Sequence, residues 1–252
     1  MILSKSRVRR SFDRAAASYD SAASLQREVC ELLLTSLSDA DPATILDAGC
    51  GTGYALGLLA GRWPAARLLA ADFAPSMLTA AGGGVCADIE SLPFAASTFD
   101  LYWSSLTVQW CDARRVAREA IRTLRPGGRL AISSLAAGTL AELRDAFAAT
   151  DRHRHVLEFG PPQLLADACG AEGFADIALR SHTLRLHRAS LAELLRELKA
   201  LGANQVGPGR RQGLLGRKAW QAVEQRYEQH REAAGLPATY EVILCTAVKP
   251  TS

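Results

Sequence analysis

The stretch Leu46-Asp47-Ala48-Gly49-Cys50-Gly51-Thr52-Gly53 joins a short apolar run, Thr44-Ile45-Leu46-Asp47, to a helical pattern over Tyr54 to Trp63. Glycines at a strand-to-helix turn let the backbone come close to a ligand. A dinucleotide-binding turn reads G-x-G-x-x-G, and its third glycine would fall at position 54, which is Tyr. The stretch reads D-x-G-x-G-x-G instead, with an acid on the strand just before the loop. A ligand held this way need not offer a pyrophosphate to a helix N-terminus. An amino-acid tail suits it better, with an ammonium that Asp47 helps to hold.

Two more acids stand at the ends of the next strands. Asp72 closes the apolar run Arg67 to Ala71, and a carboxylate there can accept bonds from both hydroxyls of a ribose. Asp88 closes Val85-Cys86-Ala87, where it can accept from an adenine amino group. Phe73, Met77 and Ile89 are apolar neighbours placed to sandwich a purine. Singly, each acid reads as an ordinary strand-end residue. Together with Gly49, Gly51 and Gly53 they describe a site for S-adenosylmethionine (SAM). Ser104, at the end of the run Phe99 to Ser104, is counted with this set, and no metal is expected.

Further along, Ala113 to Leu124 is an amphipathic helix, with Ala117, Ala120, Ile121 and Leu124 on its apolar stripe. Pro126-Gly127-Gly128 should stop it before a strand over Arg129 to Leu135. Helices are expected near 139–151 and 161–172, strands near 177–186 and over Tyr240 to Val248, and a mostly helical, Arg-rich stretch over 189–232. Before the glycine loop, Arg7 to Leu37 reads as two helices broken near Tyr19–Ser21. Strands alternating with helices at this spacing predict an α/β, doubly wound, mostly parallel sheet.

The 252 residues are 48% hydrophobic, enough for a sizeable core. No run of about 20 apolar residues is present, so no membrane span is expected. The charged N-terminus has no apolar stretch behind it, which argues against a secretory leader and for a cytoplasmic location. The six cysteines show neither CxxC pairs nor zinc-ligand spacing with histidine, and most of them read as buried thiols. Net charge is +3, but arginines cluster at Arg7, Arg9, Arg10 and Arg14, at Arg114, Arg115, Arg118, Arg122, Arg125 and Arg129, and at Arg210, Arg211, Arg217 and Lys218. Such clusters are solvated helix faces or suit an acidic partner. Aromatic residues make up only 6% and do not interleave with them, so a nucleic-acid partner is not expected.

LDAGCGTG and LRPGG resemble the class I SAM-dependent methyltransferases. FDRAAASYD, DIESLPF, VQWC, LKALGAN and TYEVILCTAV resemble, more specifically, the malonyl-[acyl-carrier protein] O-methyltransferases of biotin synthesis. The resemblance spans nearly the whole chain and is loosest from Ala203 to Thr239. It implies a Rossmann-like class I methyltransferase fold with a seven-stranded, mostly parallel sheet and helices on both faces. Residues 1–40 would be an N-terminal helical lid and 41–188 the SAM-binding core. Residues 189–238 would be a helical cap inserted before the last strand, which lies in 239–252. It also implies methyl transfer from SAM to the free carboxylate of a malonyl group, borne by phosphopantetheine on an acidic acyl carrier protein.

A carboxylate is already ionised at neutral pH, so that reaction needs no general base. The five histidines, His153, His155, His182, His187 and His230, are therefore expected to be structural or superficial. Alignment and exclusion of water should matter most. Candidates to position the carboxylate are Tyr19 in the N-terminal motif, Gln109 and Trp110 after the fourth strand, and Lys199 in the cap. Three rivals stand beside this reading. One is a class I methyltransferase acting on another small carboxylic acid or a quinone precursor. The second is an RNA methyltransferase, and the third a SAM-binding protein without turnover.

Overall fold

A computed structural model describes residues 4–37, 41–203, 207, 209, 211, 213 and 215–251. The chain opens with helices α1 (Lys5–Ala22) and α2 (Ser24–Thr35). They part at Ala23, whose φ of −87° and ψ of 32° leave the helical region, a few residues later than expected. Strand β1 (Thr44–Ala48) then leads through the glycine loop into α3 (Tyr54–Arg62), followed by β2 (Arg67–Asp72), α4 (Pro75–Ala80) and β3 (Val85–Cys86). Strand β4 (Phe99–Ser105) and a 3₁₀ turn (Val108–Trp110) precede α5 (Ala113–Thr123) and β5 (Leu124–Leu135). The remainder is α6 (Ala141–Ala148), α7 (Gln163–Ala171), β6 (Ala175–Arg188), α8 (Leu191–Ala200), α9 (Arg217–Glu228) and β7 (Leu236–Val248).

The seven strands form one sheet in the order β3-β2-β1-β4-β5-β7-β6. The first five run parallel, and β7 enters antiparallel between β5 and β6. The period-two pattern of the central strands explains the two layers around it. Ile45, Leu101, Trp103 and Ala131 face the core under α2, α3, α6, α8 and α9. Leu46, Tyr102, Leu130 and Ile132 face the other core, under α5 and α7.

Local chemistry sets the helix ends. Asp112 caps α5 by accepting from the backbone N–H groups of Arg114 and Arg115 at 3.0 and 3.2 Å. The helix stops at Thr123, before Pro126, because Leu124 already has extended backbone, φ −71° and ψ 144°, and opposes Phe99 in the sheet. Arg125 and Arg129 sit on this strand, which begins five residues earlier than the expected start at Arg129. Among the described residues, α8 and α9 account for the helix expected between 189 and 232. Of this insertion, α8 packs on α1 and β6, and α9 on α6.

Among the described residues no helix is long and apolar enough to cross a membrane. No group of three or more His, Cys, Asp or Glu among them could hold a metal ion. Cys30, Cys50, Cys169 and Cys245 are buried, Cys111 is half-buried and Cys86 is exposed, and all six are free.

Candidate active site

Five parallel strands ending on one side leave a crevice beyond their carboxyl ends, where open α/β sheets bind ligands. A largely apolar cleft lies there, the usual character of a small-molecule site. Asp47, Gly49, Gly51, Asp72, Phe73, Met77, Asp88 and Ile89 line it, with Tyr19 and Trp110 from the carboxylate-positioning candidates. The backbone of the loop is in the left-handed region at Gly49, Gly51 and Gly53, with φ of 82°, 54° and 89°. A Cβ added at Gly51 would meet nothing within 4 Å, so the loop turns an open backbone face toward the cleft.

The acids are held in different ways. Asp72 is 7% exposed, and its two oxygens accept from the N–H groups of Gly51 at 3.0 Å and Ala74 at 2.8 Å. Burial raises its carboxyl pKa, and those two backbone bonds oppose the rise. Asp47 is 2% exposed and its Oδ2 has no hydrogen-bond partner. Burial, helped by the nearby Asp72 charge, pushes its pKa up to about 8. An orphaned buried carboxylate oxygen is costly unless a cation or donor completes it.

Long-range contacts from the first two helices close the cleft. Asp20 Oδ1 accepts from Thr52 Oγ1 at 2.6 Å, and Asp13 Oδ1 accepts from the Ser76 N–H at 3.1 Å, at the start of α4. Tyr54 Oη donates to Glu31 Oε1 at 2.9 Å. Lys5 binds Asp88 Oδ2 and lies 2.8 Å from Glu90 Oε2. Asp88 Oδ1 accepts from the Glu90 N–H at 3.0 Å, so an adenine amino group would share Asp88 with Lys5.

A second cavity of about 760 Å³ adjoins the first. Phe12, Tyr19, Gln26, Leu106 and Trp110 line both. Trp110 is braced edge-on by Phe12, at 5.6 Å and 84°. Burial, with the neighbouring Cys30, Asp72 and Asp20 adding to it, raises the Tyr19 phenol, which therefore stays a hydrogen-bond donor at neutral pH. Gln109 lines the second cavity, but its amide is engaged by the main chain, with Nε2 donating to Leu106 O at 2.6 Å.

Three expected residues fall elsewhere. Ser104 is fully buried, and its hydroxyl donates to Ala48 O at 2.7 Å, tying β4 to β1. Gly53 lines neither cavity; a Cβ there would meet Ala81 at 3.0 Å, so it lets α4 pack closely on the loop. Lys199 is exposed and lines neither cavity. Its helix turns Leu191 and Leu194 inward, and Lys199 projects from another side. Sequence reasoning missed Lys5, Phe12, Gln26 and His155, and only Phe12, within the FDRAAASYD motif, carried a local signal.

A strand–glycine-loop–helix turn, acids closing the next two parallel strands and a seventh antiparallel strand inside the sheet define a class I SAM-dependent methyltransferase. Residues 46–132 match the model of the methyltransferase domain family. The chain is 48% identical to a malonyl-[acyl-carrier protein] O-methyltransferase of Dechloromonas aromatica, over 98% of this chain and 95% of that one. It is 43% identical to a biotin biosynthesis bifunctional protein of Cellvibrio japonicus, over 98% of this chain and 50% of that one. In fold it is similar to the YcgJ protein of Bacillus subtilis, with a TM-score of 0.62, 16% identity, and 89% and 99% of the two chains covered. The chain belongs to the malonyl-[acyl-carrier protein] O-methyltransferase family, and SAM is its methyl donor.

Proposed function

We propose that this enzyme methylates the free carboxylate of a malonyl group carried on an acyl carrier protein, giving a methyl ester for biotin synthesis. Near-full-length likeness to the Dechloromonas aromatica enzyme carries this reading. The chemistry agrees with it. An ionised carboxylate at the tip of an acyl chain is costly to bury in an apolar tunnel, and the ester removes that cost. We place the reaction in the cytoplasm, with an acidic carrier protein as partner and no nucleic acid or membrane.

The residues of the first cavity fit SAM. Asp72 has oxygen lone pairs left for the ribose hydroxyls, and Phe73, Met77 and Ile89 offer apolar cover for the purine. The orphaned Asp47 Oδ2 suits the ammonium of the amino-acid tail. SAM, when bound, supplies a methyl group on a positive sulfonium, ready for in-line displacement. Tyr19, in the wall common to both cavities, donates its hydroxyl toward the incoming carboxylate. Phe12, Leu106 and Trp110 exclude water around it, which favours the meeting of opposite charges. One donor orients the carboxylate without quenching it, and no side chain has to take a proton.

Asp47 makes binding depend on pH. The unliganded protein holds a proton on Asp47 up to about pH 8, whereas the unfolded chain releases it near pH 4. Stability therefore declines as pH rises from about 4 through 8, because the folded state binds more protons there. Binding the ammonium expels that proton, so affinity should climb from pH 6 to 8 by as much as ~10-fold per pH unit. Above about pH 8 the ligand's own α-amino group deprotonates and affinity should fall again. Asp47→Asn should flatten the climb, weaken binding, and raise the melting temperature of the unliganded protein more at pH 8 than at pH 5.5. Calorimetric titration with S-adenosylhomocysteine checks the first two effects. An unchanged pH profile in the variant would remove Asp47 from the ammonium site.

The substrate is tested by methyl transfer from labelled SAM to malonyl-carrier protein, malonyl-coenzyme A and free malonate. Preference for the carrier-bound substrate by more than about 10-fold in kcat/KM is expected, a discrimination of ~1.4 kcal/mol. Equal turnover of free acids would overturn the substrate while leaving the fold and SAM site intact. If the carrier docks through charge, its KM should rise several-fold between 50 and 300 mM salt, as exposed charges are screened. The KM for SAM, set inside the cleft, should move less.

A further inference from the structure

The second cavity does not end at its own walls. His155, Val156 and Phe159 also line a surface hollow of about 1090 Å³, built on the end of α6 and the segment 151–160. Neighbouring walls thus run from the glycine-loop cleft, through Tyr19 and Trp110, to His155 and the surface hollow. His155 is fixed in the wall common to the second cavity and the hollow. Its ring stacks on Phe147 at 3.8 Å and 11°, and its Nε2 lies 2.9 Å from Asp151 Oδ1. Burial alone would raise the Asp151 carboxyl, but bonds from His155 and Arg211 outweigh it and hold the pKa at about 2.

The charges around the hollow do not cancel. Asp151 is satisfied by Arg211 at 2.7 Å and by His155, and Glu158 by Arg154 at 2.8 Å. Arg144 and Arg152 also line the hollow, and both are exposed. Arg144 makes a long bond, 3.4 Å, to Thr139 O. Neither has an ion pair among the described residues. By contrast, five of the six arginines in the sequence's richest cluster have acidic partners on the protein's own surface. Arg114 and Arg118 pair with Glu172, Arg115 with Glu90, Arg122 with Glu119, and Arg125 with Asp100.

Uncompensated guanidinium groups at the mouth of an apolar passage suit a long, narrow ligand with a single anionic group at its outer end. A guanidinium presents a planar fork that matches phosphate oxygens. Resting on the carrier-protein reading above, we propose that Arg144 and Arg152 bind the phosphate of the phosphopantetheine arm. The hollow behind His155 is then the entrance through which the malonyl thioester reaches the second cavity.

Methyl transfer to malonyl-phosphopantetheine and to malonyl-pantetheine separates the arm's phosphate from everything else, and malonyl-carrier protein is measured alongside. For Arg144→Ala combined with Arg152→Ala, KM should rise ~10- to 100-fold on the two phosphorylated substrates, the scale of lost charge-assisted hydrogen bonds. kcat should stay within about twofold, and malonyl-pantetheine should show no change in KM. Arg→Lys at both positions should restore part of the loss. Unaltered S-adenosylhomocysteine affinity would show that the variant is folded. Equal losses with and without the phosphate, or no loss on either, would overturn the entrance while leaving the substrate reading in place. A wild-type protein that binds SAM but methylates none of the three would overturn the carrier reading and the entrance with it.

Discussion

Gly49→Ala should abolish SAM binding, with a loss of affinity beyond about 100-fold, and lower stability by about 2–4 kcal/mol. Two independent costs act at this residue. Its φ of 82° lies in the left-handed region, which costs an alanine on the order of 1–2 kcal/mol. The added Cβ would also stand 2.4 Å from both Cγ2 and Oγ1 of Thr107. Thr107 has little freedom to swing aside, because its one hydroxyl proton is shared between Gly49 O at 3.2 Å and Ser105 O at 3.1 Å. The loop must then shift, and the shift moves the N–H groups and the Asp72 contact that shape the cleft. Gly57→Ala is the matched control. Gly57 lies inside α3 with nothing within 4 Å of a new Cβ, so alanine there should be neutral or stabilising by ~0.5–1 kcal/mol. Thermal melts and S-adenosylhomocysteine titrations of both variants decide the matter. A Gly49→Ala protein that binds as well as Gly57→Ala would mean that the loop is not held in the conformation described.

The contrast between those glycines shows which parts of the site a sequence can display. Gly49, Asp47, Asp72 and Asp88 are visible because each belongs to a strand end, and strand ends follow one another at regular intervals in a doubly wound sheet. The pattern is local, and the fold turns it into one crevice. The contacts of the first helix with the core are not local. Lys5 meets Asp88 across 83 positions and Asp20 meets Thr52 across 32, and nothing near either residue announces its partner. The ion pairs of the arginine clusters are hidden for the same reason. Arg118 resembles a free surface cation until α7 brings Glu172 to 3.0 Å from it. Small errors of phase have large consequences as well. Ser104 precedes Ser105 by one residue on a strand, so its side chain points to the opposite face and bonds Ala48, while Ser105 lines the cleft. His155 had no motif at all; only the folding of segment 151–160 against α6 sets it between two cavities.

That an ionised carboxylate needs no general base bears on how such a site can be perturbed. Where catalysis is alignment, no single side chain should carry a loss comparable with that of an activated nucleophile, and substitutions in the walls should lower kcat modestly. The proposed cofactor contacts are different, because Asp47 and Asp72 are buried charged groups. Large effects are therefore concentrated in the strand-end acids and the glycine loop, and smaller ones at Tyr19 and Trp110.

Asp72→Asn is the sharpest case among the acids. The carboxylate already accepts from the backbone N–H groups of Gly51 and Ala74, one on each oxygen. Asparagine keeps one oxygen acceptor but turns an NH₂ group toward the other N–H, so one backbone donor loses its partner in a place that is 7% exposed. The same exchange removes an anionic acceptor for the ribose hydroxyls. Hydrogen bonds to a charged group contribute about 1.5–3 kcal/mol each, so the affinity for S-adenosylhomocysteine should fall ~100-fold or more. Misplacement of the loop alone could also weaken binding, and ligands lacking the 2′- or 3′-hydroxyl separate the two causes. In the wild type, removing a hydroxyl should cost about 10-fold or more. In Asp72→Asn the same removal should cost little, because its partner is already gone, and the two changes should therefore be strongly non-additive. Calorimetric titration of both proteins with the three ligands gives the coupling directly. Losses that simply add would show that Asp72 shapes the loop without touching the ribose, and would return the ribose contact to another residue of the cleft.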